Sequence, residues 1–192
     1  MAAEAPPSPC NPPPNLPPSP GYSSFDDLYN AVQAFGRKNG IAFTKGSISN
    51  NREINGVVQP TWGILDCDRG GRQKPPRGAG IRRTSSRKTG CTYRLKVSSS
   101  SSSGRWEWHY QELGSHNHDR SSDPSRHAIH RRFTESQKRR IMSLTRHTSL
   151  RPRSISTVMR EEEDEELYFR QKDIYNQRQR ARQFQPCPAR RC

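Results

Sequence analysis

The chain reads as an α+β fold, with a small antiparallel β-sheet between one leading amphipathic helix and a short helical region. Three observations predict this. Residues 92–97 and 105–111 alternate apolar and polar with period two, as half-buried strands do. Phe25, Leu28, Val32 and Phe35 recur at helical spacing, as do Ile141 with Leu144, and Ile155 with Val158 and Met159. Hydrophobic residues make up only 29% of the 192, so no single large core can organise the chain, and a small sheet needs a further source of stability.

The elements are taken in chain order. Residues 1–22 form a leader with nine of the 16 prolines in its first twenty positions. Proline donates no backbone hydrogen bond and little here is apolar, so the leader is expected to be disordered and locally polyproline-II. Ser24-x-x-Asp27 is a capping-box pattern with Asp in place of Glu, and Gly40 suits a left-handed helix terminus. Together they predict a helix over about 25–38. A short β-prone run comes next at Ile41–Thr44, then Val57-Val58, Pro60 to Trp62, and Ile64-Leu65 leading into Cys67. In the clearest pair of strands, Tyr93, Leu95 and Val97 face one way while Thr92, Arg94 and Lys96 face the other. Trp106, Trp108 and Tyr110 likewise oppose Arg105, Glu107, His109 and Gln111. Aromatics at strand spacing read as core in preference to a base-stacking platform. Ser98–Ser103 with Gly104 is expected to be a hydrophilic loop joining this pair.

Residues 23–119 are thus expected to be one domain and 120–132 a polar linker. A helical region over 133–184 and a disordered tail over 185–192 complete the chain. Thr134-x-x-Gln137 is a second capping box, opening a helix that ends near Arg146. Pro152 suits the first turn of the next helix, and a last basic helix runs over about 172–183. Together these resemble a helix-turn-helix arrangement with few apolar residues. The acidic run Glu161–Glu166 reads as a solvated break, and the tail after Phe184 ends abruptly, as a truncated or frame-shifted product would.

The net charge is +15, which favours a polyanionic partner, above all nucleic acid. No apolar run is long enough for a transmembrane helix and no secretory signal is visible, so neither membrane nor secretion is expected. No P-loop, nucleophile elbow or H-E-x-x-H motif is present. The expectation is a non-enzyme without a small-molecule substrate.

Five cysteines without a signal peptide suggest metal before disulfide. Cys67 ends one predicted strand and Cys91 begins another. His116-Asn-His118 places two imidazoles on one face of an extended segment, which the hairpin returns toward Cys91. Two thiolates and two imidazoles satisfy a closed, structural Zn2+, which would staple the sheet. The spacing lacks the short C-x2–4-C knuckle, and it equally admits two buried cysteines and two surface histidines. His109, His127, His130 and His147 are read as solvated. From Arg69 to Lys96 there are ten Lys or Arg and no acid. Arg82, Arg83, Arg87, Lys88, Arg94 and Lys96 are the candidate DNA contacts, next to the metal-anchored strand.

The order of these features resembles the far-red-impaired-response type DNA-binding domain of the WRKY–GCM zinc superfamily. It runs from the Phe25 helix through Gly40–Phe43, Leu65-Asp-Cys67 and Arg82–Cys91 to the alternating strands and His116-Asn-His118. The resemblance covers about Phe25–Asp119, and Thr89-Gly-Cys91 and His116-Asn-His118 are its most specific parts. It implies a four- or five-stranded antiparallel sheet on a Cys-Cys-His-His zinc, held by Cys67, Cys91, His116 and His118. Ser149–Arg182 is similar to the segment that follows this domain in fungal Mutator-like transposases. The WRKYGQK recognition strand is absent, so base contacts are not carried over. The resemblance therefore implies a nuclear, zinc-dependent binder of double-stranded DNA, derived from or a fragment of such a transposase and acting in transcription regulation. The competing expectation is a zinc-stabilised protein-interaction adaptor.

Overall fold

The computed structural model describes residues 11–54, 56–72, 86–102, 104–147, 150–162 and 167–183. They fall into two units, Met1–Pro124 and Ser125–Cys192. The expected tail over 185–192 lies outside the described residues, as does the acidic run from 163 to 166.

The first unit has the expected α+β architecture. Helix α1 spans Phe25–Asn39. The Ser24 hydroxyl accepts from the Asp27 N–H at its start, and Gly40, at φ 67°, donates to the Gly36 carbonyl at its end. A Cβ at Gly40 would lie 2.1 Å from the Ser121 carbonyl oxygen, so glycine is required there on two counts. Next come four strands: β1 (Phe43–Ile54), β2 (Val57–Cys67), β3 (Arg94–Ser102) and β4 (Arg105–Leu113). They form an antiparallel meander in the order β1-β2-β3-β4. Leu65 pairs with Leu95 and Val97 with Tyr110, so the predicted apolar faces coincide. Phe25, Leu28 and Val32 of α1 pack with Phe43, Leu65, Tyr93, Leu95, Val97 and Trp108 in one core. Gln33 ties α1 to β1 with its buried amide: Nε2 donates to the Phe43 carbonyl at 2.6 Å and Oε1 accepts from the Phe43 N–H at 3.4 Å. Both polar ends of that side chain are therefore satisfied, which makes its burial tolerable. The aromatic expectation holds in this core, since Trp108 is fully buried and its indole N–H donates to the Pro60 carbonyl at 2.8 Å.

Three features differ from expectation. The serine run is not a loop, because Ser98–Ser102 continue β3, paired with His109 through Arg105 of β4. Serine has poor β propensity, but backbone pairing against a strong partner strand overrides it. β1 extends far beyond Ile41–Thr44, with most of its polar residues exposed, and is held by its ladder to β2 down to Ile54 opposite Val57. The described part of the leader is packed. The Tyr110 hydroxyl donates to the Pro17 carbonyl at 2.6 Å, Leu16 N–H donates to the Glu112 carboxylate, and Tyr22 bridges to Trp108 in antiparallel fashion. Residues 16–22 thus cover the edge of β4, giving its unpaired backbone groups partners that composition alone does not reveal.

The second unit carries α2 (Glu135–His147), α3 (Pro152–Glu162) and α4 (Gln171–Gln183). The capping box at Thr134 is reciprocal: Gln137 N–H donates to the Thr134 hydroxyl and Thr134 N–H donates to the Gln137 amide oxygen. Ile141, Leu144, Ile155, Met159, Phe169 and Ile174 form its core. The segment expected to be a linker is partly built into this unit. Arg131 pairs with Asp173 at 3.1 Å, and His127, expected to be solvated, is 1% exposed with its ring 5.5 Å from that of His130.

Candidate metal centre

Strand register positions the four donors. Cys67 closes β2, opposite Phe43, and its N–H donates to the Tyr93 carbonyl at 3.1 Å. The turn after it folds back tightly, with Gly70 N–H donating to the Cys67 carbonyl at 2.8 Å and Gly70 forming a parallel bridge to Cys91. A Cβ at Gly70 would lie 2.9 Å from the Cys67 carbonyl oxygen and 3.0 Å from that of Cys91. Only glycine lets these backbone segments approach so closely. β4 then ends at Leu113, and Gly114, at φ 75°, turns the chain back beneath Thr92 toward His116.

The donor atoms of Cys67, Cys91, His116 and His118 all lie within 4.8 Å of one another, so the group is close enough to hold a metal ion. Cys67 Sγ is 3.2 Å from His118 Nε2, Cys91 Sγ is 3.5 Å from His116 Nδ1, and the two imidazole nitrogens are 3.3 Å apart. Metal–sulfur bonds of ~2.3 Å and metal–nitrogen bonds of ~2.0–2.1 Å in a tetrahedron require edges of about 3.6 Å for S···N and about 3.4 Å for N···N. The three observed edges match these within a few tenths of an ångström, and the other donor pairs lie within 4.8 Å.

The electrostatics treat the two donor types differently. Burial, reinforced by the neighbouring His118, holds the His116 imidazole down to about 4, so it stays neutral with a lone pair to give. Burial pushes the Cys67 thiol up to about 12, which a nearby dication would reverse, because a coordinating thiol is deprotonated outright. His118 Nδ1 donates to the Asp119 carbonyl at 2.9 Å, which fixes the tautomer and directs the Nε2 lone pair at the cluster. His116 directs Nδ1 inward, while its ring stacks on Tyr93 at 3.9 Å between centroids.

Three supporting contacts had no clear sequence signal. Thr89 and Asn117 bond reciprocally: the Thr89 hydroxyl donates to Asn117 Oδ1 at 3.0 Å, and Asn117 Nδ2 donates to the Thr89 carbonyl at 3.1 Å. This locks the residue between the two histidines to the segment before Cys91. Arg69 donates to the Ser121 hydroxyl at 2.8 Å, tying the turn after Cys67 to the segment after His118. The Tyr93–His116 stack could have been suspected only from the position of Tyr93 two residues after Cys91 on the buried face.

The basic candidates are distributed differently. Arg87 and Lys88 are exposed just before Cys91, and Lys88 Nζ donates to the Asp68 carbonyl at 3.0 Å. Arg94 and Lys96 share the exposed face of β3, opposite the face against α1, with Asp66 Oδ1 3.6 Å from Arg94. Arg82 and Arg83 lie outside the described residues. Among the described residues no helix is long and apolar enough to cross a membrane.

No protein-family profile matches the chain, and no solved structure does. Among curated proteins the chain is similar to the PKS-NRPS hybrid synthetase cheA of Chaetomium globosum, 33% identical over 162 residues. That stretch takes in 84% of this chain, which spans only 3% of the length of the synthetase.

Proposed function

We propose that this chain is a sequence-specific, zinc-dependent binder of double-stranded DNA acting in the nucleus, with the ion serving as a staple. The observation that carries this reading is the convergence of Cys67, Cys91, His116 and His118 within 4.8 Å, with three of their edges near tetrahedral length, beside a run from Arg69 to Lys96 rich in Lys and Arg and free of acids. Sulfur and imidazole donors in a tetrahedron select zinc among the common divalent ions. Four protein donors leave no position for water, so zinc here would stabilise the sheet and perform no reaction. Such stapling is worth about 10–16 kcal/mol in zinc-finger peptides, enough to compensate for a small core.

The chain's own residues would then hold the DNA. Arg87 and Lys88 sit beside the metal-anchored Cys91, and Arg94 and Lys96 stand two residues apart on the open sheet face. Each cation set on a phosphate releases counterions and steepens the dependence on salt. A two-stranded β-ribbon fits the major groove, and the exposed face of β3 would present Arg94 and Lys96 to it. The resemblance of Thr89-Gly-Cys91 and His116-Asn-His118 to the far-red-impaired-response type domain supports the same reading and a descent from Mutator-like transposases. The activity in the synthetase's name is not carried over, because the shared stretch is 3% of that protein.

Selection of bound duplexes from a random pool, with zinc and with chelator, tests the proposal. An enriched sequence lost on chelation is expected, together with affinity that falls steeply as salt rises. Affinity indifferent to ionic strength, or no enriched duplex, would replace it with the protein-interaction adaptor.

A further inference from the structure

The helical unit contains a cavity of ≈ 430 Å³ that the metal centre does not use. Its wall brings together Arg131 and Arg132 from the segment before α2, Lys138 of α2, and Asp173, Asn176 and Arg180 of α4. Asp173 is the one acid among the described residues of that lining, and its carboxylate is already engaged. It pairs with Arg131 Nε at 3.1 Å and accepts from the Arg170 N–H at 2.9 Å. Arg131 is held in turn by donating to the Ser125 carbonyl at 2.8 Å. Lys138 is answered by the exposed Glu135 at 2.6 Å. Among the described residues that line it, the cavity thus retains two exposed guanidiniums, Arg132 and Arg180, and no further carboxylate.

Two guanidiniums gathered about one concavity repel each other unless an anion lies between them. Their planar forks of donors match tetrahedral oxyanions, above all phosphate. The Asn176 amide adds a neutral donor beside them. Because both guanidiniums are exposed, an isolated small anion would compete poorly with water there. A polyanion gains from many such contacts at once, and its bound counterions are released in the process. The same unit exposes further cations at Arg126, Arg139 and Lys172, which suits a polymer better than a single small ligand.

We infer that this cavity seats a backbone phosphate of double-stranded DNA between Arg132 and Arg180, making the helical unit a second, sequence-indifferent anchor. This rests on the proposed DNA-binding function and adds to it a site outside the zinc-stapled sheet.

The test uses the full chain loaded with zinc. Duplex affinity is followed against salt for the wild type, for Arg132→Gln with Arg180→Gln, and for Arg151→Gln with Arg153→Gln. The last pair removes the same charge from exposed positions around the start of α3 that do not line the cavity. The cavity variant is expected to lower the log–log salt slope by about 1, for the one phosphate it no longer holds, and to weaken selected and unrelated duplexes by the same factor. The control pair is expected to leave the slope unchanged, and circular dichroism should show both variants fully helical. An unchanged slope in the cavity variant, with the wild type still binding, would overturn the inference and leave the DNA reading intact. An equal drop in the control pair would overturn it too, since diffuse charge would then explain the effect. Saturable binding of ATP alone to the wild type and not to the cavity variant would reassign the cavity to a free nucleotide. A wild type that binds no duplex at all removes the DNA reading and this anchor with it.

Discussion

Cys67 Sγ and His118 Nε2 lie 3.2 Å apart although 51 positions separate them in the chain, and the other two donors complete the same cluster. Replacing one donor therefore leaves an incomplete set in a buried site. Cys91→Ser is expected to reduce bound zinc from about one per chain to none, with loss of the near-ultraviolet signal of the sheet. Metal analysis beside circular dichroism checks this; a metal-free variant with its full near-ultraviolet signal would remove the stapling role. Tyr110 offers an independent check on the packing of the sheet. Burial, reinforced by Tyr22, pushes its phenol up to about 12 from 10.0, and its proton is given to the Pro17 carbonyl. A folded-state value raised above the unfolded one contributes stability below pH 10 that is lost as pH rises from 10 toward 12. The melting temperature of the wild type should fall across that window, and Tyr110→Phe should flatten part of the fall. The four donors could be named as candidates before the fold was seen, but their spacing equally admitted two buried cysteines and two surface histidines, and only the fold brings them within 4.8 Å. The environment of His127 could not be named at all. Arginines surround it in sequence, yet it is buried, because burial is set by what packs from elsewhere in the fold.

Helix termini were the most legible elements. Ser24 and Thr134 act as caps and Pro152 opens α3 as expected, because capping depends on residues within one turn. Thr134→Ala should destabilise the helical unit by about 1 kcal/mol, read as an earlier loss of helical dichroism on denaturant titration while tryptophan fluorescence keeps its midpoint. Strands were less legible. Ser98–Ser102 pair as β3 only because Trp106, Trp108 and their neighbours offer a strand to pair with. The long β1–β2 hairpin had one unused signal in the sequence between its strands, Asn55-Gly56, since Asn-Gly is a strong two-residue hairpin sequence; Gly56 has φ 76°. Residues 16–22 had none, because covering a sheet edge calls on backbone groups that any residue carries.

Across the whole chain, two units each hold their own core, and the metal cluster belongs to the first. All three tryptophans, Trp62, Trp106 and Trp108, lie in that first unit as well. Chelation should therefore shift the tryptophan emission to the red while most of the helical dichroism of α2, α3 and α4 persists. Simultaneous loss of both signals would show that the helical unit depends on the metal. Residue order alone could settle only what was local or additive: helix caps, the alternating faces of β3 and β4, the types of the metal donors and the sum of charge. These depend on neighbours within a few positions or on composition. The closing of Cys67 against His118, the strand made of serines, the covered edge of β4 and the cavity around Arg132 and Arg180 needed the folded chain. Each arises where backbone pairing or packing joins segments that share no local pattern.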